Sequence, residues 1–112
     1  MIEWRPLDSE QKLADLITLS QAKPQLIFKH SISCPTSAMV KSRLERAAVI
    51  DNADYNMLDL WHYRAVSDLV ARKFGIRHES PQILVIDQGK CIYNESHYAI
   101  TQENVAAIVA AI

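Results

Sequence analysis

Apolar and polar residues in this chain follow two periods, and the switches between them predict eight elements. After Asp8 and Ser9, either of which can cap a helix, Leu13, Leu16 and Ile17 share one face up to about Ser20, where Lys23-Pro24 ends the run. Gln25 to Lys29 reads as a short buried strand around Leu26-Ile27-Phe28, leading into the polar stretch His30-Ser31-Ile32-Ser33-Cys34. Pro35 suits the first position of a helix, where its missing N–H has no partner to lose, and this makes Cys34 the N-cap. Ser37, Val40, Leu44, Ala47 and Ala48 then lie on one helical face. Tyr55 to Leu60 is a second strand, and His62 to Phe74 a third helix that buries Val66, Leu69, Val70 and Phe74 and closes at Gly75-Ile76. Gln82 to Ile86 is apolar enough for burial on both faces. Asp87 to Lys90 turns the chain, Cys91 to Glu95 returns antiparallel, and a last helix starts at a Thr101 cap with Val105, Ile108, Val109 and Ile112 in one stripe.

This order predicts an α/β domain with a mixed four-stranded sheet, helices on both faces, and a C-terminal β-hairpin followed by a helix. No repeat or linker interrupts residues 1–112, so a single domain is expected. A chain of this length can bury a core without staples, which frees Cys34 and Cys91 from a structural duty. A formal net charge of −1 argues against nucleic acid as a partner, since phosphate binding needs gathered Lys and Arg. The opening residues match neither a signal nor a transit peptide, and the longest apolar run, Val105 to Ile112, is too short for a bilayer. A cytoplasmic protein with free thiols and no membrane contact is the expectation.

The chemistry concentrates at Cys34. At a strand-to-helix junction its sulfur meets unpaired backbone N–H groups and the positive end of the helix dipole, which favour the nucleophilic thiolate. Lys29, His30 and Lys41 are candidates to add positive field. Cys34-Pro35-Thr36-Ser37 is the C-x-x-C redox motif with serine in the second position, so an outside thiol must resolve any mixed disulfide formed on Cys34. Ser37 itself reads as a capping or packing residue. Cys91, alone at the start of a hairpin strand, reads as inert packing. His78, three residues before Pro81, is a candidate to assist proton transfer at the sulfur. Trp61 reads as a core or edge residue near the crevice. His30, Cys34 and His78 could meet at one ion after folding, but no paired-ligand spacing supports a metal site, and none is expected.

Three segments together resemble the YtxJ family, the monothiol bacilliredoxins: Lys29-His30-Ser31-Ile32-Ser33-Cys34-Pro35-Thr36-Ser37, then Phe74-Gly75-Ile76-Arg77-His78-Glu79-Ser80-Pro81-Gln82, then Ser96-His97-Tyr98-Ala99-Ile100-Thr101. The resemblance implies a thioredoxin-like fold with a cis peptide bond before Pro81, whose loop lies against the reactive sulfur while the Ser80 backbone pairs with substrate. It implies Cys34 as the catalytic thiol, with Pro35, Thr36, Ser37, His30 and His78 supporting it and Ser80 and Pro81 binding substrate. It also implies bacillithiol or a related small thiol as co-substrate, S-thiolated proteins as partners, and no bound cofactor. Cys91 and Thr36 depart from the family pattern, which has an aliphatic residue and isoleucine there. Two other readings of the chain remain: a thioredoxin-fold binding module without catalysis, and an iron–sulfur carrier like the monothiol glutaredoxins, although those have glycine where Pro35 stands.

Overall fold

The computed structural model describes residues 1–112 and has five strands, one more than the sequence predicts. The elements run β1 (Trp4–Pro6), α1 (Glu10–Leu19), β2 (Gln25–His30), α2 (Pro35–Arg46), β3 (Asp54–Asp59), α3 (Arg64–Phe74), β4 (Gln82–Asp87), β5 (Lys90–Ser96), a 3-10 turn (His97–Ala99) and α4 (Gln102–Ala110). They form one sheet in the order β1-β3-β2-β4-β5. β1 and β2 flank β3 in parallel, and β4 runs antiparallel to both β2 and β5. The extra strand, β1, corrects the four-stranded expectation. Three residues that include an arginine and a proline carry no readable alternation, and an edge strand tolerates the proline because only one side of it is paired.

Strand alternation sorts the core into two layers. Leu26 and Phe28 of β2, with Ile83 and Val85 of β4, face Val40 and Leu44 of α2 and Val105 and Val109 of α4. Ile27, Leu84 and Ile86, joined by Leu58 of β3, face Leu13 and Leu16 of α1 and Val70 of α3. α2 and α4 therefore cover one face of the sheet and α1 and α3 the other. Both central strands are buried from Gln25 to His30 and from Gln82 to Ile86, as expected for strands covered on both faces.

The predicted caps hold. Ser9 Oγ accepts from the Lys12 N–H, and Thr101 Oγ1 accepts from that of Asn104. Gly75 ends α3 with φ +64°, the left-handed geometry that glycine adopts at least cost. α3 starts two residues later than predicted, because Asp59 organises the preceding turn. Its carboxylate accepts from the backbone N–H groups of Trp61 and His62 and meets the His62 ring at 2.7 Å.

In β5 a bulge opposite Val85 and Ile86 inserts Ile92 between the paired residues Cys91 and Tyr93. Residues two apart in a regular strand share a face. Here the bulge sends Cys91 to the α1/α3 layer and Tyr93 to the α2/α4 layer.

Beneath α4, the buried Tyr55 hydroxyl accepts from the Ile50 N–H at 3.0 Å and from Gln102 Nε2 at 2.6 Å. Tyr55→Phe leaves the Ile50 N–H unpaired and takes one of two partners from Gln102 Nε2, which keeps the Ala48 carbonyl, and is expected to lower unfolding free energy by about 1–2 kcal/mol, read as a lower urea midpoint. No helix is long and apolar enough to cross a membrane.

Candidate active site

β2 and β3 run parallel, so the loops that leave their C-terminal ends emerge at one edge of the sheet. Cys34 lies in the loop after β2 and Trp61 in the loop after β3, and the Leu60 N–H donates to the His30 carbonyl at 2.9 Å to join them. β4 is antiparallel to β2, with Gln82 opposite Lys29, so the Ser80–Pro81 loop enters the sheet at the same edge. The peptide bond between Ser80 and Pro81 is cis.

Cys34 is the N-cap of α2, with extended backbone and Pro35 directly after it. Its carbonyl accepts the first helical bond, from Ala38 N–H at 3.0 Å, while its side chain makes no capping bond and is partly exposed. The sulfur thus sits at the helix terminus without being used to close it. No surface concavity, the largest about 340 Å³, is lined by Cys34. Ile32 (57 % exposed), Trp61 (64 %) and Tyr98 (65 %) supply exposed apolar surface at this edge.

One turn into α2, Ser37 is fully buried. Its Oγ accepts from the Ser31 N–H at 3.1 Å and lies 2.7 Å from His30 Nδ1. His30 stacks on Phe28 at 5.8 Å between ring centroids, on the α2 side of the sheet. Burial lowers the His30 pKa, and the Lys41 cation lowers it further against the pull of Asp59 and Glu45. The Ser31 N–H and the His30 ring thus both pair with this one hydroxyl. The serine therefore ties the Cys34 loop to α2 and to β2 together.

On the other flank, a chain of contacts links the Pro81 loop to α2. The Pro81 carbonyl accepts from the His97 N–H at 3.0 Å. His97 turns left-handed (φ +57°) into the 3-10 turn, where the Tyr98 phenol oxygen accepts from the Thr36 hydroxyl at 3.3 Å. Arg43 of α2 donates to the Tyr98 carbonyl at 2.8 Å and to the Ile100 carbonyl. Thr36 is two residues from Cys34, so this chain links the Pro81 loop to the first turn of α2. Tyr98 did not stand out in the hydropathy pattern, since a lone exposed tyrosine after a strand has no periodic signature. Its only signal was its place in the Ser96-His97-Tyr98 segment.

Other candidates separate from the sulfur. Lys29 alternates away from Phe28 and His30, and its Nζ is buried in the α1/α3 layer against Ser67 and His78. The field expected from it near Cys34 is thus directed to the opposite face, because a period of two fixes the direction of every strand side chain. The His78 ring is held in the same place, bonded to Lys29 and Ser67. Lys41 is paired with Glu45 at 3.0 Å. His30 and His78 lie on opposite faces of β2, and no three His, Cys, Asp or Glu side chains converge. Cys91 donates its S–H to the Tyr93 carbonyl at 3.3 Å, and burial pushes its pKa up.

Burial lowers the His78 pKa as well, with Lys29 and Arg64 lowering it further and Asp68 and Glu79 opposing. An unfolded histidine takes up its proton near pH ~6.5, whereas the folded rings of His30 and His78 resist until lower pH. Between those values the unfolded state binds more protons, so stability present above ~6.5 is lost as pH falls. Urea midpoints are expected to fall below about pH 6.5, and less steeply in His78→Ala.

A family model described as monothiol bacilliredoxin BrxC matches residues 5–105. Among solved structures, a protein described by its thioredoxin fold and an inferred oxidoreductase role is 27 % identical, with 93 % of this chain and 91 % of that chain covered at a TM-score of 0.81. A single-substitution mutant of thioredoxin from Halobacterium salinarum is 15 % identical, covering 97 % and 89 % with a TM-score of 0.75. Thioredoxin from Malassezia sympodialis is 17 % identical, covering 98 % and 91 %, also at 0.75. These last two show the thioredoxin fold alone.

Proposed function

The chain belongs to the monothiol bacilliredoxin family, and from that premise we propose that it removes bacillithiol, or a related small thiol, from mixed disulfides on other proteins through Cys34. Family and fold make it a thiol oxidoreductase. The finer reading is carried by the arrangement around Cys34: a partly exposed thiol at a helix N-terminus, with serine one turn on and the other cysteine behind the sheet.

The Cys34 thiolate attacks the bacillithiol sulfur of a protein–S–S–bacillithiol bond. A new bond forms between Cys34 and that sulfur, the old disulfide breaks, and the client leaves as a thiolate that takes a proton from solvent. A second small thiol, as thiolate, then attacks the adduct, carries bacillithiol off as a small-molecule disulfide and returns Cys34 as thiolate. The exposed side chains of Ile32, Trp61 and Tyr98 at this edge suit a disulfide borne on a protein surface. Partners on this reading are S-thiolated proteins, no bound cofactor is needed, and a reducing cytoplasm is the compartment it implies.

The test is a client protein carrying one bacillithiol disulfide, mixed with the chain and quenched in acid. Intact masses are expected to show the client freed and bacillithiol on Cys34. A client that keeps its adduct while the chain stays unmodified overturns the reading.

Ser37→Cys checks the one-thiol logic. A second sulfur at that site is expected to displace bacillithiol internally, so the quenched adduct gives way to a disulfide between Cys34 and the introduced thiol, which resists alkylation until reduced.

A further inference from the structure

Lys29 plays no part in the exchange chemistry, yet it is the one lysine with its side chain wholly inside the protein. Its Nζ donates to the Ser67 carbonyl of α3 at 3.3 Å and meets His78 Nδ1 at 3.1 Å. The Ser67 hydroxyl reaches the same ring nitrogen at 3.3 Å. Across the ladder stands Gln82, also buried, whose side-chain amide donates to the Arg77 carbonyl at 2.9 Å while its own oxygen has no partner. Lys29 and the segment from His78 to Gln82 thus meet in a polar cluster within an otherwise apolar layer.

Such a cluster is expensive. Burial lowers Lys29 to about 8 while Asp68 raises it, so at pH 7 the amine is mostly charged, and a well-packed apolar residue at the same point is often as stable or more so. His78 is kept neutral by the same burial and by Lys29 and Arg64, against Asp68 and Glu79, so its Nδ1 serves as the acceptor.

What the cluster joins is specific. Lys29 lies in the strand that delivers Cys34 five residues later, and His78 lies in the loop that ends at Ser80–Pro81. The far end of that loop is already tied to the α2 terminus through Pro81, His97, Tyr98 and Thr36. Lys29 supplies the near anchor.

We propose that Lys29 is a positioning residue which, through His78, fixes the Gly75–Pro81 loop relative to Cys34 so that the Ser80 backbone meets an incoming mixed disulfide in register. The inference rests on the disulfide-exchange reading above for its substrate.

Lys29→Met and His78→Ala are compared with the wild type in three measurements. The second variant alters a partly exposed ring and keeps the test open if the first does not fold. Amide exchange across residues 76–80 is expected to accelerate about tenfold or more in each folded variant, while β2 and β4 stay protected. KM for the S-thiolated client is expected to rise about tenfold with a smaller change in kcat. The rate at which a small alkylating reagent modifies Cys34 is expected to stay within about twofold, since the thiol's own surroundings are untouched. Wild-type exchange and KM in a folded variant overturn the proposal, as does alkylation that falls in step with turnover. Should the wild type fail to act on the client, the exchange reading fails by itself, and the amide measurement still decides whether Lys29 anchors the loop.

Discussion

Cys34→Ser is expected to reduce turnover of an S-thiolated client by about three orders of magnitude or more, while Cys91→Ser retains most of it. The asymmetry follows from the two environments. Cys34 is partly exposed, ends a strand-to-helix loop, and makes no capping bond, so its sulfur is free to attack. Cys91 spends its proton on the Tyr93 carbonyl, packs in the α1/α3 layer, and holds a pKa raised by burial, so little of it is thiolate at neutral pH. Serine at 34 preserves size and N-cap preference, so the loss is chemical and the fold survives. Steady-state release of the client thiol, with circular dichroism to verify folding, decides the matter. Equal losses in the two variants refute the assignment of Cys34 as sole nucleophile.

Ser37→Ala is expected to cost about 2–4 kcal/mol of unfolding free energy, a large share of the roughly 5–15 kcal/mol typical of a domain. The hydroxyl is fully buried and serves two groups at once, accepting from the Ser31 N–H and pairing with His30 Nδ1. Alanine leaves both unpaired where water has little access. Ser37→Thr, which keeps the oxygen, is expected to recover part of the loss if the added methyl group can be packed. Urea titration gives the comparison, and an alanine variant within about 0.5 kcal/mol of wild type shows the pairings to be worth no more than solvent contacts.

Much of the architecture was legible because local signals agreed with one another. Pro35 after Cys34, Ser9 and Thr101 before apolar stripes, and Gly75 after one each marked a boundary that the fold respects. The position of Cys34 followed from the same logic, as did the burial of Ser37. β1 was illegible, since Trp4, Arg5 and Pro6 become a strand only by pairing with Tyr55, Asn56 and Met57, far along the chain. Lys29 was misdirected by its charge. Alternation from Ile27 points it into the α1/α3 layer, and only the later segment at His78, folded against it, makes that burial tolerable. The Tyr98 contact with Thr36 spans 62 positions and leaves no periodic trace.

The place of Cys91 in β5 has a consequence for how the protein responds to its surroundings. It pairs with Ile86, which pairs with Gln25 at the end of the sheet away from the Cys34 loop, and it faces the rear layer, so a loaded Cys34 has no internal route to recovery. On the exchange reading, the fraction of molecules idle at any moment then tracks the scarcity of free small thiols, so a shortage stalls the catalyst instead of rewiring its cysteines.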